Sequence, residues 1–144
     1  MRSKNRASPA PARHPVVPAG IGLRWIWHYS ALCALRDRLR GEIGRHSQEA
    51  TESSGPGGDP GDDAAIEFEH EAALKLLESE ENALMEIEAA IERLHGGTYG
   101  VCEATGRRIP DARLRAIPWC RYVVDEQARQ EAARRQLAPA KFLP

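Results

Sequence analysis

A chain of 144 residues has room for one domain, or for one small module carrying an extended element. Its formal net charge of −1 excludes a chain that coats polyanions along its whole surface. Three cysteines, Cys33, Cys102 and Cys120, exclude a paired disulfide framework, and no apolar run approaches the ~20 residues of a membrane span.

The charge is segregated along the chain. From Gly61 to Gly96 there are eleven Asp/Glu against two Lys/Arg, a net of −9. From Gly97 to Pro144 there are nine Lys/Arg against five Asp/Glu, a net of +4. A partner therefore meets two different electrostatic faces.

Residues 1–20 are rich in Pro, Ala and Arg and show no period, which predicts a disordered basic tail or a partner-contacting arm. Arg2, Lys4 and Arg6 are succeeded by a stretch broken at Pro9, Pro11, Pro15 and Pro18, so no signal-peptide core is expected. A cytoplasmic protein is the expectation. From Ile21 to about Ala50 the pattern turns helical: Trp25, Leu32, Leu35, Leu39 and Ile43 recur at steps of three, four and seven. Trp25 and Trp27 are expected to pack at the base of this helix. Gly41 and Gly44 weaken it by roughly 1 kcal/mol each relative to Ala. TESSGPGGDPG, residues 51–61, is breaker chemistry without a large apolar side chain and predicts a loop.

A second helix is predicted over residues 62–95. Leu77, Leu84 and Ile91 are seven apart, and Ile87 and Leu94 lie three beyond Leu84 and Ile91, giving a heptad seam. Glu80 interrupts that seam. Asp62 and Asp63 suit the positive end of the helix dipole, and Gly96 and Gly97 end the helix. Two long helices joined by a short polar loop predict an antiparallel hairpin of residues 21–96, roughly 40 to 50 Å long at 1.5 Å per residue. Such a hairpin is a probe or a strut with no pocket of its own.

From Thr98 the texture changes. TYGVCEATGRRIP predicts two short strands about a turn at Thr105-Gly106. Asp111 is placed as the cap of a short helix through Ala116, broken by Pro118. Arg121 to Leu137 predicts a last helix with Val123, Val124 and Ala128 inward, and residues 138–144 form a frayed tail. The fold class is thus mainly α: a hairpin, a small module over 97–137 with a short β-hairpin, and a C-terminal helix.

GTYGVCEATGRRIPDARLRAIPWCRY, residues 97–122, resembles the finger of the DksA/TraR family, and the element order over residues 22–135 is also the family's. The resemblance implies a regulator that binds bacterial RNA polymerase through its secondary channel, with no enzymatic activity and no sequence-specific DNA recognition. It places the family's acidic hairpin tip on Asp59, Asp62 and Ala64, with Asp63 able to replace either acid. It places the four zinc-ligand positions on Cys102, Thr105, Val123 and Glu126. Only Cys102 retains a thiolate donor, whereas tetrahedral zinc needs four donors, so no metal is expected and an apolar core must do its work. A rebuilt set of Cys102, Cys120 and His95 is the alternative. The basic positions that serve the family's ppGpp response fall on Ser79, Glu86 and Gln127, none of which pairs with a phosphate as Lys or Arg would. Arg107, Arg108, Arg113, Arg115 and Arg121 cluster in the finger, as solvated charge or as a docking face for an acidic surface.

Two other readings stand beside this one. A pair of tip carboxylates could hold Mg²⁺ in the polymerase and assist transcript cleavage. Alternatively the chain is a structural coiled-coil adaptor with a vestigial finger. His28, His46 and His70 are dispersed, and no catalytic set or phosphate loop emerges.

Overall fold

The computed structural model describes residues 16–52 and 60–137, with the backbone alone for 60–62. The sequence expectations for Asp59, for most of the 51–61 loop, and for residues 1–15 and 138–144 lie outside the described residues. A single 3-10 turn, Leu23–Trp25, leads into α1, Ile26–Glu52. Then come α2, Pro60–Gly96, a short α3, Asp111–Ala116, and α4, Val124–Leu137.

The two long helices fold back on each other as an antiparallel hairpin. Arg40 reaches Glu88 at 2.5 Å, and His46 reaches Glu80 at 2.9 Å, so residue numbers fall on one helix as they rise on the other. Pro60 and Gly61 belong to α2 and Thr51 to α1, so the helices run further into the breaker segment than its composition predicts. Pro60 is tolerated there because the first residues of a helix have no intrahelical N–H partner to lose. The Thr51 hydroxyl donates to the Ser47 carbonyl at 2.9 Å and so extends the last turn of α1.

α2 ends as its glycines predict. Gly97 takes φ +76, and the Thr98 N–H returns to the Arg93 carbonyl at 3.0 Å, the six-to-one closure of a helix C-terminus. The chain then makes a narrow antiparallel turn. Cys102 N–H donates to the Arg107 carbonyl at 2.8 Å, and Ile109 N–H donates to the Gly100 carbonyl at 2.8 Å. A single isolated bridge, Val101–Arg108, forms there, which corrects the expectation of two strands. Gly100 and Gly106, both at positive φ, bound the pairing so closely that no ladder can extend.

α3 stops at Ala116 because Ile117 precedes Pro118, whose ring forces Ile117 to φ −134 and ψ 82. Its N-cap is Pro110, not Asp111; Asp111 sits in the first turn and pairs with Arg24 at 2.5 Å. α4 begins at Val124, three residues later than expected, because the Arg121 carbonyl is already taken by the Glu103 N–H at 3.1 Å. Its inward side is also different: Val123 is buried, while Val124 is 64% exposed and Ala128 faces solvent.

The core lies entirely at the base. Leu32 and Cys33 of α1, Ile87, Ala90, Ile91 and Leu94 of α2, and Tyr99, Cys102, Ile109, Leu114, Cys120 and Val123 form one cluster. Beyond Cys33 and Ile87 the hairpin is a two-helix rod whose seam residues are only partly buried. No helix among the described residues is long and apolar enough to cross a membrane.

Candidate functional site: a hairpin rod rooted in a finger

Three places in the fold carry the chemistry singled out by the sequence: the far end of the hairpin, the finger, and the groove between finger and α2.

At the far end, Asp63 and Ala64 are exposed in the first turns of α2. Asp62 is in the same turn, while its side chain and the whole of Asp59 lie outside the described residues. Carboxylates are favoured there because the unpaired N–H groups of a helix start carry partial positive charge.

Moving towards the base, the seam break at Glu80 is filled from the other helix. His46 Nδ1 lies 2.9 Å from a Glu80 carboxylate oxygen, and the Glu80 side chain is only 12% exposed. Sequence reasoning flagged Glu80 as an imperfection and missed His46. The signal was present: a carboxylate in a seam position demands a polar partner across the interface.

In the finger, Cys102 is bonded by two of the other family ligand positions, Thr105 and Val123. Burial alone would push the Cys102 thiol up, but the Thr105 hydroxyl and the backbone N–H groups of Val123, Thr105 and Ala104 hold it below the ordinary thiol value. Arg107 donates to Thr105 Oγ1 at 3.4 Å and to Asp125 at 2.5 Å. The buried Glu126 carboxylate accepts from Arg129 at 2.5 Å and from Gln130 at 2.9 Å. The donor set does not fit zinc: Val123 offers hydrocarbon, the Thr105 hydroxyl is engaged, and Glu126 is held by two other side chains. Cys120, pushed up by burial, sits by Arg113 and Arg93, and His95 packs its ring on Tyr29 at 5.8 Å. Among the described residues no group of three His, Cys, Asp or Glu is placed to hold a metal ion.

The finger is instead locked to the root of α2 by an ionic net that the sequence did not disclose. Arg121 donates to Glu86 at 2.6 Å and to Glu103 at 3.2 Å, and Arg93 approaches Glu103 at 3.5 Å. Arg93 Nη2 also donates to the Trp119 carbonyl at 3.1 Å. Burial holds the Arg93 guanidinium below its usual value, with the Glu103 carboxylate opposing. The Tyr99 hydroxyl donates to the Pro118 carbonyl at 2.7 Å inside the core. Arg107, Arg113 and Arg121 are thus committed to partners, Arg113 bonding the Tyr122 carbonyl at 3.0 Å and the Gln127 side chain. Of the five finger arginines, Arg113 bonds only neutral acceptors, and Arg108 and Arg115 form no ion pair with any of the described residues.

Glu86 and Gln127 line one groove of about 590 Å³, together with Trp119, Arg121, Tyr122 and Arg134. Ser79 lies seven residues up α2, roughly 10 Å away along the rod.

A family profile described as prokaryotic dksA/traR C4-type zinc finger matches residues 97–132. An uncharacterised protein of Aquifex aeolicus is 56% identical over 39 residues, 27% of this chain and 27% of that protein. The RNA polymerase-binding transcription factor DksA of Caulobacter vibrioides is 33% identical over 90 residues, 62% of this chain and 61% of that protein. The structure of transcription factor DksA2 from Pseudomonas aeruginosa aligns with a TM-score of 0.67 at 31% identity, covering 76% of this chain and 84% of that one. Several curated relatives are matched over only about a quarter to a third of their own length.

Proposed function

The chain belongs to the DksA/TraR family, and from that premise we propose that it is a non-enzymatic transcription regulator that binds RNA polymerase and presents an acidic hairpin end to the secondary channel. The observation that carries this reading is the shape of α2. Its 37 residues span roughly 55 Å, the core is confined to its last three turns, and Asp63 and Ala64 sit at the opposite end. A narrow rod of this kind can carry carboxylates into a confined cationic space, where a desolvated contact exceeds the ~0.5 kcal/mol of a surface pair.

In this reading residues 21–96 deliver Asp59, Asp62 and Asp63, and residues 97–137 anchor the rod. The finger holds its shape without zinc: Cys102 is tied to Thr105 and Val123, and Val123 completes the apolar cluster. The ppGpp response is weak or absent, because Glu86 puts a carboxylate into the groove and pairs with Arg121, while Ser79 and Gln127 supply no cation. Nothing in the finger resembles base-reading geometry, so the effect on promoters comes through the polymerase and not through sequence-specific DNA contact.

Co-precipitation with RNA polymerase, combined with promoter open-complex lifetimes, tests the reading. The wild type is retained by the polymerase and alters the lifetime. Asp59→Asn/Asp62→Asn keeps the helical circular dichroism and loses the effect on lifetime. Absence of retention, or an undiminished effect in the variant, overturns it. A second arm uses a backtracked complex: transcript cleavage dependent on the tip carboxylates would replace this function with the cleavage reading.

A further inference from the structure

We propose that the face at the base of the hairpin formed by Arg24, Trp27, Arg108 and Arg115 binds single-stranded nucleic acid, the phosphates on Arg108 and Arg115 and a base on Trp27. This face is separate from the acidic end and from the groove at Glu86.

The side chains converge from several elements. Arg24 comes from the 3-10 turn, Trp27 from the first turn of α1, Arg115 from the end of α3, and Arg108 from the bridged turn. The Arg115 guanidinium lies 5.9 Å from the centre of the Trp27 ring. Arg24 and Arg108 line one open depression of about 270 Å³ with Ile109, Pro110 and Asp111. Trp27 is 54% exposed on a surface that has a buried core directly beneath it, whereas Trp25 is turned inward against Tyr99 at 5.0 Å. Arg115 lies over the Trp27 ring and His28 meets it edge-on at 5.0 Å, and the exposed remainder of the ring is what a base would stack on.

Charge decides the class of partner. Among the described residues Arg108 and Arg115 take no carboxylate, while Arg107 pairs with Asp125 and Arg121 with Glu86 and Glu103. Asp111, the acid beside them in the depression, is held by Arg24. Cations spaced around an exposed aromatic ring match a strand of phosphates with unstacked bases. A duplex offers the same phosphates and hides its base faces, so Trp27 would have no role on it. Neither RNA nor DNA is singled out, because no residue of the face is placed to read a 2′-hydroxyl.

Fluorescence anisotropy of labelled oligothymidylate and oligouridylate with the full chain, free of polymerase, tests this. It is therefore independent of the function proposed above. Both single strands are expected to bind, with the ratio of affinities identifying the physiological class, and a duplex of equal charge is expected to bind more weakly. Trp27→Ala weakens binding about tenfold, and Trp27→Phe retains most of it. Arg108→Ala/Arg115→Ala lowers the salt dependence by about 0.7 log unit per cation removed. Both arginines are exposed, so this variant keeps the wild-type melting curve and serves as a check if Trp27→Ala disturbs the fold. No binding, binding unaffected by both sets of substitutions, or equal competition by polyglutamate at matched charge overturns the proposal, the last outcome assigning the face to an acidic polypeptide.

Discussion

Replacing both His46 and Glu80 with Leu tests how the outer rod is held together. The two side chains occupy one layer of the seam, 2.9 Å apart, with exposures of 30% and 12%. Removing Glu80 alone leaves the part-buried His46 ring without its acceptor, a loss of about 1–3 kcal/mol. Two leucines in the same layer bury hydrocarbon where a desolvated pair stood, and such replacements are neutral or stabilising by ~1–4 kcal/mol. The double variant should therefore match or exceed the wild type while Glu80→Ala falls below it. The coupling energy in the double-mutant cycle should be about 1–3 kcal/mol. Urea unfolding followed by far-ultraviolet circular dichroism reads all the stabilities, provided the slope stays constant. If Glu80→Ala has no effect, or if the double variant is less stable than the single, the pair does not sit in the seam and the antiparallel register is wrong. A polar layer also fixes which residues face each other, so the stabilised variant should lose some uniqueness of register, visible as broadened amide resonances.

Other substitutions probe the base. Gly100→Ala would put its Cβ 2.9 Å from the Trp25 ring at φ +84, costing about 2–4 kcal/mol, whereas Gly106→Ala, at φ +69 with nothing within 4 Å, costs about 1 kcal/mol; paired thermal melts separate them. Thr105→Cys/Val123→Cys/Glu126→Cys should restore stoichiometric zinc, measured by metal analysis, and raise stability by ~2.7 kcal/mol at a hundredfold excess over Kd; failure to bind zinc would show that the four positions do not converge. Burial, helped by the Arg115 charge and opposed by Asp111, lowers the His28 imidazole below its ordinary value. The unfolded chain then takes up the proton first, so stability is present above the unfolded value near 6.5 and falls as pH drops from there towards the folded value. Melting temperatures from pH 7.5 down to 5 should decline in the wild type and flatten in His28→Phe; a wild-type curve without that decline would refute the assignment.

Much of this architecture was legible in the sequence because it depends on local rules. Heptad spacing placed Leu84, Ile87, Ile91 and Leu94 on one face, and Gly97 marked the end of α2 through its backbone freedom. The finger string carried the family. What escaped depends on pairings between distant positions. His46 and Glu80 are 34 residues apart, and Arg121 meets Glu86 across 35. No periodicity links such pairs. The strands of the finger were overestimated because alternating polarity cannot count how many hydrogen bonds a turn between two glycines leaves room for. Val124 and Ala128 were placed inward by hydrophobicity, yet the buried side of α4 is led by Glu126, whose carboxylate is tolerated through Arg129 and Gln130. At the tip, sequence alignment outran structure: Asp63 and Ala64 are placed on an exposed helix start, and the side chains of Asp59 and Asp62 lie outside the described residues.

The closure at Gly97 has a mechanical consequence. Because both the Thr98 and Tyr99 amides fasten to the Arg93 carbonyl, at 3.0 and 3.2 Å, the rod meets the finger without a swivel. A sideways push on the distant end cannot be absorbed by pivoting at that point. It arrives as torque on Arg93, where Glu103 and the Trp119 carbonyl resist it, so weakening those contacts should loosen the aim of an arm whose own helices remain intact.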